Sequence, residues 1–130
     1  MAKLTVLSYQ CEEISEDIGS IVLKEVELSD PGPGEVRVRL KACAVNFPDL
    51  LMIQGKYQFK PPLPFAPGSE AAGDIEACGP ECDFKEGDKV IVSMRCGGFS
   101  EGVVVDQSQV RAIPEGMEYG PAASYQTAYL

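Results

Sequence analysis

Apolar and polar residues alternate most cleanly over residues 35–42, where Val36, Val38 and Leu40 fall on one side and Arg37, Arg39 and Lys41 on the other. A period of two marks a strand with one buried face. Shorter runs of branched or small apolar residues predict further strands over 3–9, 21–28, 71–77, 89–94, 102–106 and 110–113. Turn formers separate them: Ser29-Asp30-Pro31-Gly32-Pro33-Gly34, Gly79-Pro80, Glu86-Gly87-Asp88, Gly97-Gly98 and Pro114-Glu115-Gly116. A polar connector covers 12–20. Many short strands at this spacing predict an all-β sandwich or barrel.

The pattern changes over 46–54. Asn46 is a good N-cap, Pro48 suits a first turn, Asp49 complements the helix dipole and Gly55 follows as a stop. One short helix is expected here, with Leu50, Leu51 and Ile53 as its apolar surface. Residues 61–67 hold four prolines and form no helix. Residues 121–130 read as the opening of a second helix with Pro121 in its first turn; an apolar helix with no cap or polar tail predicts a piece of a longer protein.

The 130 residues suffice for one domain with a core. They contain no apolar run long enough to span a bilayer, and Met1-Ala2-Lys3 lacks the apolar core of a signal peptide, so a cytoplasmic protein with no membrane partner is expected. A net charge of −9 argues against nucleic acid as a partner. The charge is uneven. Between Arg37 and Lys60 the only acid is Asp49, against Arg37, Arg39, Lys41, Lys56 and Lys60, a tilt that suits either an anionic ligand or, more commonly, a solvated face. The five cysteines follow no disulfide framework, and the lone pair Cys78 and Cys82 is too small for a four-ligand zinc site. With no histidine in the chain, imidazole triads, shuttles and metal ligands are excluded within it.

Three stretches, in order, resemble a known family. They are Asn46-Phe47-Pro48-Asp49-Leu50-Leu51-Met52-Ile53-Gln54-Gly55-Lys56-Tyr57; then Pro61-Pro62-Leu63-Pro64-Phe65-Ala66-Pro67-Gly68-Ser69-Glu70-Ala71-Ala72-Gly73 with Glu86-Gly87-Asp88-Lys89-Val90; then Gly97-Gly98-Phe99-Ser100-Glu101. The chain resembles the N-terminal GroES-like catalytic domain of a zinc-independent quinone reductase of the medium-chain dehydrogenase/reductase superfamily, the zeta-crystallin group included. The resemblance implies a mainly β fold: a twisted, partly open barrel with one short helix. It places the catalytic domain over 1–120 and, over 121–130, the start of a helix linking to a Rossmann domain absent from this sequence.

The resemblance also implies chemistry. Zinc-dependent alcohol dehydrogenases of the superfamily carry a cysteine ligand where Asn46 stands and a histidine ligand where Ser69 stands, so no zinc is expected here. Without that Lewis acid, the implied reaction is NADPH-dependent hydride transfer to an electrophilic acceptor, a quinone or an α,β-unsaturated carbonyl. Asn46 and Tyr57 are the implied catalytic residues, and Asn46, Tyr57 and Thr127 the implied contacts to the nicotinamide. Asn46 is equally readable as a simple cap and Tyr57 as an edge-of-core tyrosine. Leu51 departs from the family, which often has a cleft tyrosine there; leucine donates no hydrogen bond. The parent is implied to be a homodimeric cytoplasmic enzyme, and the fragment alone inactive, since NADPH binds mainly to the absent domain. Two other readings stand beside this one: an enoyl-thioester reductase domain, and a stand-alone, non-enzymatic GroES-like module. The stiff proline loop 60–67 argues against the module, which needs a mobile partner-binding loop.

Overall fold

In the computed structural model, which describes residues 4–15 and 21–124, the alternating segments pair as strands. β1 (Leu4–Cys11) and β2 (Ile21–Leu28) form an antiparallel pair, in register from Leu4 opposite Leu28 to Cys11 opposite Ile21. The larger sheet is also antiparallel. It contains β3 (Glu35–Cys43), β4 (Glu70–Cys78), β5 (Lys89–Ser93), β6 (Gly102–Asp106) and β7 (Val110–Ala112), in the order β6-β3-β4-β5-β7. A short helix, α1 (Phe47–Ile53), lies between β3 and β4, and α2 (Tyr119–Ala123) follows β7.

Burial follows the alternation. Val36 and Val38 of β3 are fully buried with Ile75, Val90 and Val92 in the main core, while Arg39 and Lys41 are exposed. The first half of β4 is small because it is covered on both faces. Ala72 and Ile91 pack against Ala122 and Ala123 of α2, opposite the main core. Gly73 is required here, since a Cβ on it would stand 2.0 Å from the Arg39 carbonyl oxygen across the ladder. The β3–β4 register slips on both sides of that approach, between Arg37 and Val38 and between Leu40 and Ala42.

The two sheets are joined by main-chain bonds. Tyr9 N–H donates to the Phe99 carbonyl at 2.8 Å, and Cys11 and Phe65 exchange bonds at 2.6 and 3.1 Å. β1 runs two residues beyond its expected end, where Gln10 and Cys11 pair with Val22 and Ile21 of β2 and Cys11 also with Phe65. The result is the mainly β, partly open arrangement that the resemblance implied. α2 begins at Tyr119 rather than at Pro121, which sits within its first turn, where its missing N–H costs nothing. Beyond Ser124 the expected linking helix, with Thr127, falls outside the described residues.

Candidate functional site

Three segments converge at the start of α1: the end of β3, the loop 66–69 leading into β4, and the turn after β5. Asn46, with extended backbone, is the N-cap. Asp49, 1% exposed, accepts from Asn46 N–H at 2.9 Å and from Gly68 N–H at 3.2 Å, and so ties α1 to the loop that precedes β4. Burial raises the Asp49 pKa; those two backbone donors oppose the rise, and the nearby Glu70 carboxylate adds to it. Glu70 itself, 6% exposed, accepts from the Asn46 side-chain amide at 2.8 Å. Hence the Asn46 amide is oriented by a carboxylate 24 residues away.

Cys43, at the end of β3, lies in the crease between Gly68 and Gly98. A Cβ on either glycine would stand 2.9 or 2.7 Å from its sulfur. Gly68 also has φ +105, a conformation side chains rarely adopt. Burial, then the Asp49 and Glu70 charges, push the Cys43 thiol up to about 12. Burial and Asp49 likewise raise the Cys96 thiol. With their pKa values raised, both sulfurs keep their protons at neutral pH and are poor nucleophiles.

In front of this group opens a cleft of about 580 Å³, with Pro48 and Met52 of α1 on one side and Ser69, Met94 and Arg95 on the other. Tyr57 lines it together with Gln58, Phe59 and Lys60. The Tyr57 ring packs on the cluster of Cys11, Met52, Ile53 and Phe65, while its hydroxyl makes no hydrogen bond with a described residue. Tyr57 thus packs at the edge of this core cluster and also lines the cleft. Asn46 lies outside the lining, behind Pro48 and bonded to the carboxylate that follows Ser69. Leu51 does not line the cleft. A larger open depression of about 770 Å³ lies between β7 and α2, but the only phenol in it, Tyr119, already bonds to Asp74, which raises its pKa.

Sequence reasoning assigned Asp49 to the helix dipole and missed its second bond to Gly68. Glu70, a carboxylate in a small apolar stretch, accepts from the Asn46 amide, a contact that no local pattern reveals. Sequence reasoning gave no signal for Arg95, whose guanidinium lies 4.8 Å from the centre of the Phe59 ring.

The fold has known counterparts. The alcohol dehydrogenase GroES-like domain matches residues 32–115. The Homo sapiens synaptic vesicle membrane protein VAT-1 homolog is 46% identical over 105 residues, 77% of this chain and 27% of that protein. Quinone oxidoreductase-like protein 2 of Mus musculus is 38% identical over 125 residues, 92% of this chain and 35% of that protein. A quinone oxidoreductase from Pseudomonas syringae superposes with a TM-score of 0.84 at 30% identity, over 92% of this chain and 37% of that one. A probable oxidoreductase from Mycobacterium abscessus gives 0.90 at 32% identity, over 97% and 40%. The chain spans between 27% and 35% of the length of these curated relatives. The ordered motifs, the barrel and the matched span together make this chain a member of the alcohol dehydrogenase GroES-like domain family, within the medium-chain dehydrogenase/reductase superfamily.

Proposed function

We propose that the protein carrying this domain is a cytoplasmic, zinc-independent oxidoreductase that reduces quinones or α,β-unsaturated carbonyls with NADPH. The observation that carries the reading is the cleft beside α1, lined by Tyr57, whose hydroxyl is unbonded among the described residues, and by Ser69 where the zinc enzymes carry a histidine, while Asn46 stands behind the lining with its amide on Glu70. The zinc of the alcohol dehydrogenases does not fit these donors. The Asn46 amide nitrogen is engaged by Glu70, and neither asparagine nor serine is a normal zinc ligand. The nicotinamide end of NADPH does fit: Met52, Met94 and the Tyr57 ring offer apolar walls for a planar ring. The rest of that cofactor needs a Gly-rich strand-to-helix turn, which this sequence lacks.

NADPH, when bound, supplies the hydride. The chain's own residues then have two tasks. Tyr57 O–H donates to the acceptor oxygen as negative charge develops on it, and the apolar walls keep water from the reacting face. Glu70 and Asp49 hold Asn46 and the start of α1 in place. In the complete protein, Tyr57→Phe is expected to lower kcat about a hundredfold with a quinone or enone acceptor, followed as NADPH oxidation. An unchanged kcat would return Tyr57 to packing, and no NADPH oxidation by the wild type with either acceptor class would end the reading.

A further inference from the structure

The residues lining the cleft include two cations, Lys60 and Arg95, and no carboxylate, in a chain whose net charge is −9. The two cations differ in how they are held. Arg95 sits in the turn after β5, and that turn is fastened on both sides. Met94 N–H donates to the Ser69 carbonyl at 2.9 Å, Gly97 N–H to Ala66 at 2.8 Å and Gly98 N–H to Gly68 at 3.0 Å. The Arg95 guanidinium rests 4.8 Å from the centre of the Phe59 ring, which in turn packs on the buried cluster of Met52, Ile53 and Phe65. Stacking uses the face of a guanidinium and leaves its in-plane N–H donors open.

Those donors make no ion pair or hydrogen bond with any described residue. Arg37 shows what a structural arginine looks like in this chain. Its side chain is 15% exposed and paired with Glu76 at 2.7 Å and Asp30 at 3.4 Å. Arg95 has the opposite character: an exposed guanidinium set against the Phe59 ring, unpaired among the described residues, lining the same cleft as Tyr57 and Ser69.

We propose that this cleft selects acceptors carrying an anionic group, a carboxylate or phosphate, which Arg95 grips in bidentate fashion with Lys60 adding charge. The inference rests on the function proposed above and narrows its substrate class. A planar fork matches a carboxylate or phosphate edge with two parallel bonds, whereas Lys60, exposed on a flexible stem, contributes charge without geometry. The shared chemistry, an oxyanion at the cleft mouth, could also belong to the diphosphate of the nucleotide, and the experiment separates the two sources.

The complete protein is titrated calorimetrically with a naphthoquinone bearing a propionate side chain and with its methyl ester, a pair whose rings have matched electrophilicity. The carboxylate is expected to bind about tenfold more tightly than the ester, with the difference shrinking as salt is added. Arg95→Gln should bring the acid-to-ester affinity ratio to about one while NADPH binding is retained, Arg95→Lys should restore part of the preference, and Lys60→Gln should weaken it less. Equal affinity for acid and ester in the wild type overturns the inference. So does an Arg95→Gln variant that loses NADPH affinity while keeping the acid-to-ester ratio, since the guanidinium then serves the nucleotide. Turnover of the ester reads the proposed reaction separately. If neither compound is reduced but the acid still binds more tightly through Arg95, the reaction fails and the anion site stands.

Discussion

Glu70 and Asp49 place two carboxylates inside the fold, and each is answered by donors from distant segments. Removing one partner of such a pair leaves the other buried and unsatisfied, which costs more than the bond itself contributes. Glu70→Ala is therefore expected to destabilise the fold by about 0.5–1.5 kcal/mol in chemical denaturation, because the half-buried Asn46 amide loses its acceptor. Glu70→Gln keeps an acceptor oxygen and should cost less. Equal losses for the two variants would show that size, not the hydrogen bond, matters at this position. Cys43 gives a second residue-scale test. Its proton is held to about 12 against an ordinary 9.0, so its thiolate is about a thousandfold scarcer in the native state than in the unfolded one at neutral pH. Alkylation of Cys43 by iodoacetamide, followed by peptide mass spectrometry, should be slow at pH 8 and accelerate strongly in denaturant. The sign for stability follows. Native Cys43 keeps its proton where the unfolded thiol loses it, so this contribution is full below pH 9 and disappears as pH rises from 9 towards 12. Native labelling of Cys43 as fast as in denaturant would refute both statements.

At the scale of the elements, glycine has opposite meanings in β4 and α2. Gly73 lies where β3 presses its carbonyl against β4, and an added Cβ meets that oxygen at 2.0 Å. Gly120 lies in the first turn of α2, where an added Cβ meets nothing within 4 Å. Gly73→Ala should destabilise by about 1–3 kcal/mol or more, since the clash is with backbone and no rotamer relieves it. Gly120→Ala should stabilise by about 0.4–1 kcal/mol by restricting the unfolded chain. Thermal melts of the two variants check both, and midpoints moving in the same direction would contradict this account. The element boundaries were largely legible beforehand. β2 and β6 begin and end where their apolar runs do, and the others differ by one or two residues. The differences have causes outside the segment: β1 extends to Cys11 through pairing with Val22 and Ile21 of β2 and with Phe65.

For the whole molecule, the open question is what the cleft does with its missing zinc ligands. Purified without chelator, the complete protein is expected to contain no stoichiometric zinc by elemental analysis, because an amide held by Glu70 and a serine are poor ligands and the chain has no histidine. One zinc per chain would overturn the zinc-free reading and the reaction proposed from it. The 130-residue chain by itself should oxidise NADPH with a quinone no faster than protein-free buffer, because it lacks a dinucleotide-binding turn. Measurable turnover would move the cofactor site into this domain.

The sequence by itself determined the strands, the short helix and the mainly β class, because these follow from local rules: a period of two, turn chemistry and a cap. It also determined the absence of imidazole chemistry and the identities of residues 46 and 69, which are facts of composition. Only the tertiary structure decided who meets whom. Asn46 reaches Glu70, Asp49 reaches Gly68, Cys43 settles between Gly68 and Gly98, and Arg95 lies on Phe59. These contacts join residues from different strands and turns, and their geometry comes from the β3–β4 register slips and from the loop 66–69 crossing in front of α1. Periodicity records which face a residue occupies, not which distant side chain stands opposite it. The burial that raises the Cys43 and Asp49 pKa values likewise exists only once those segments have packed together.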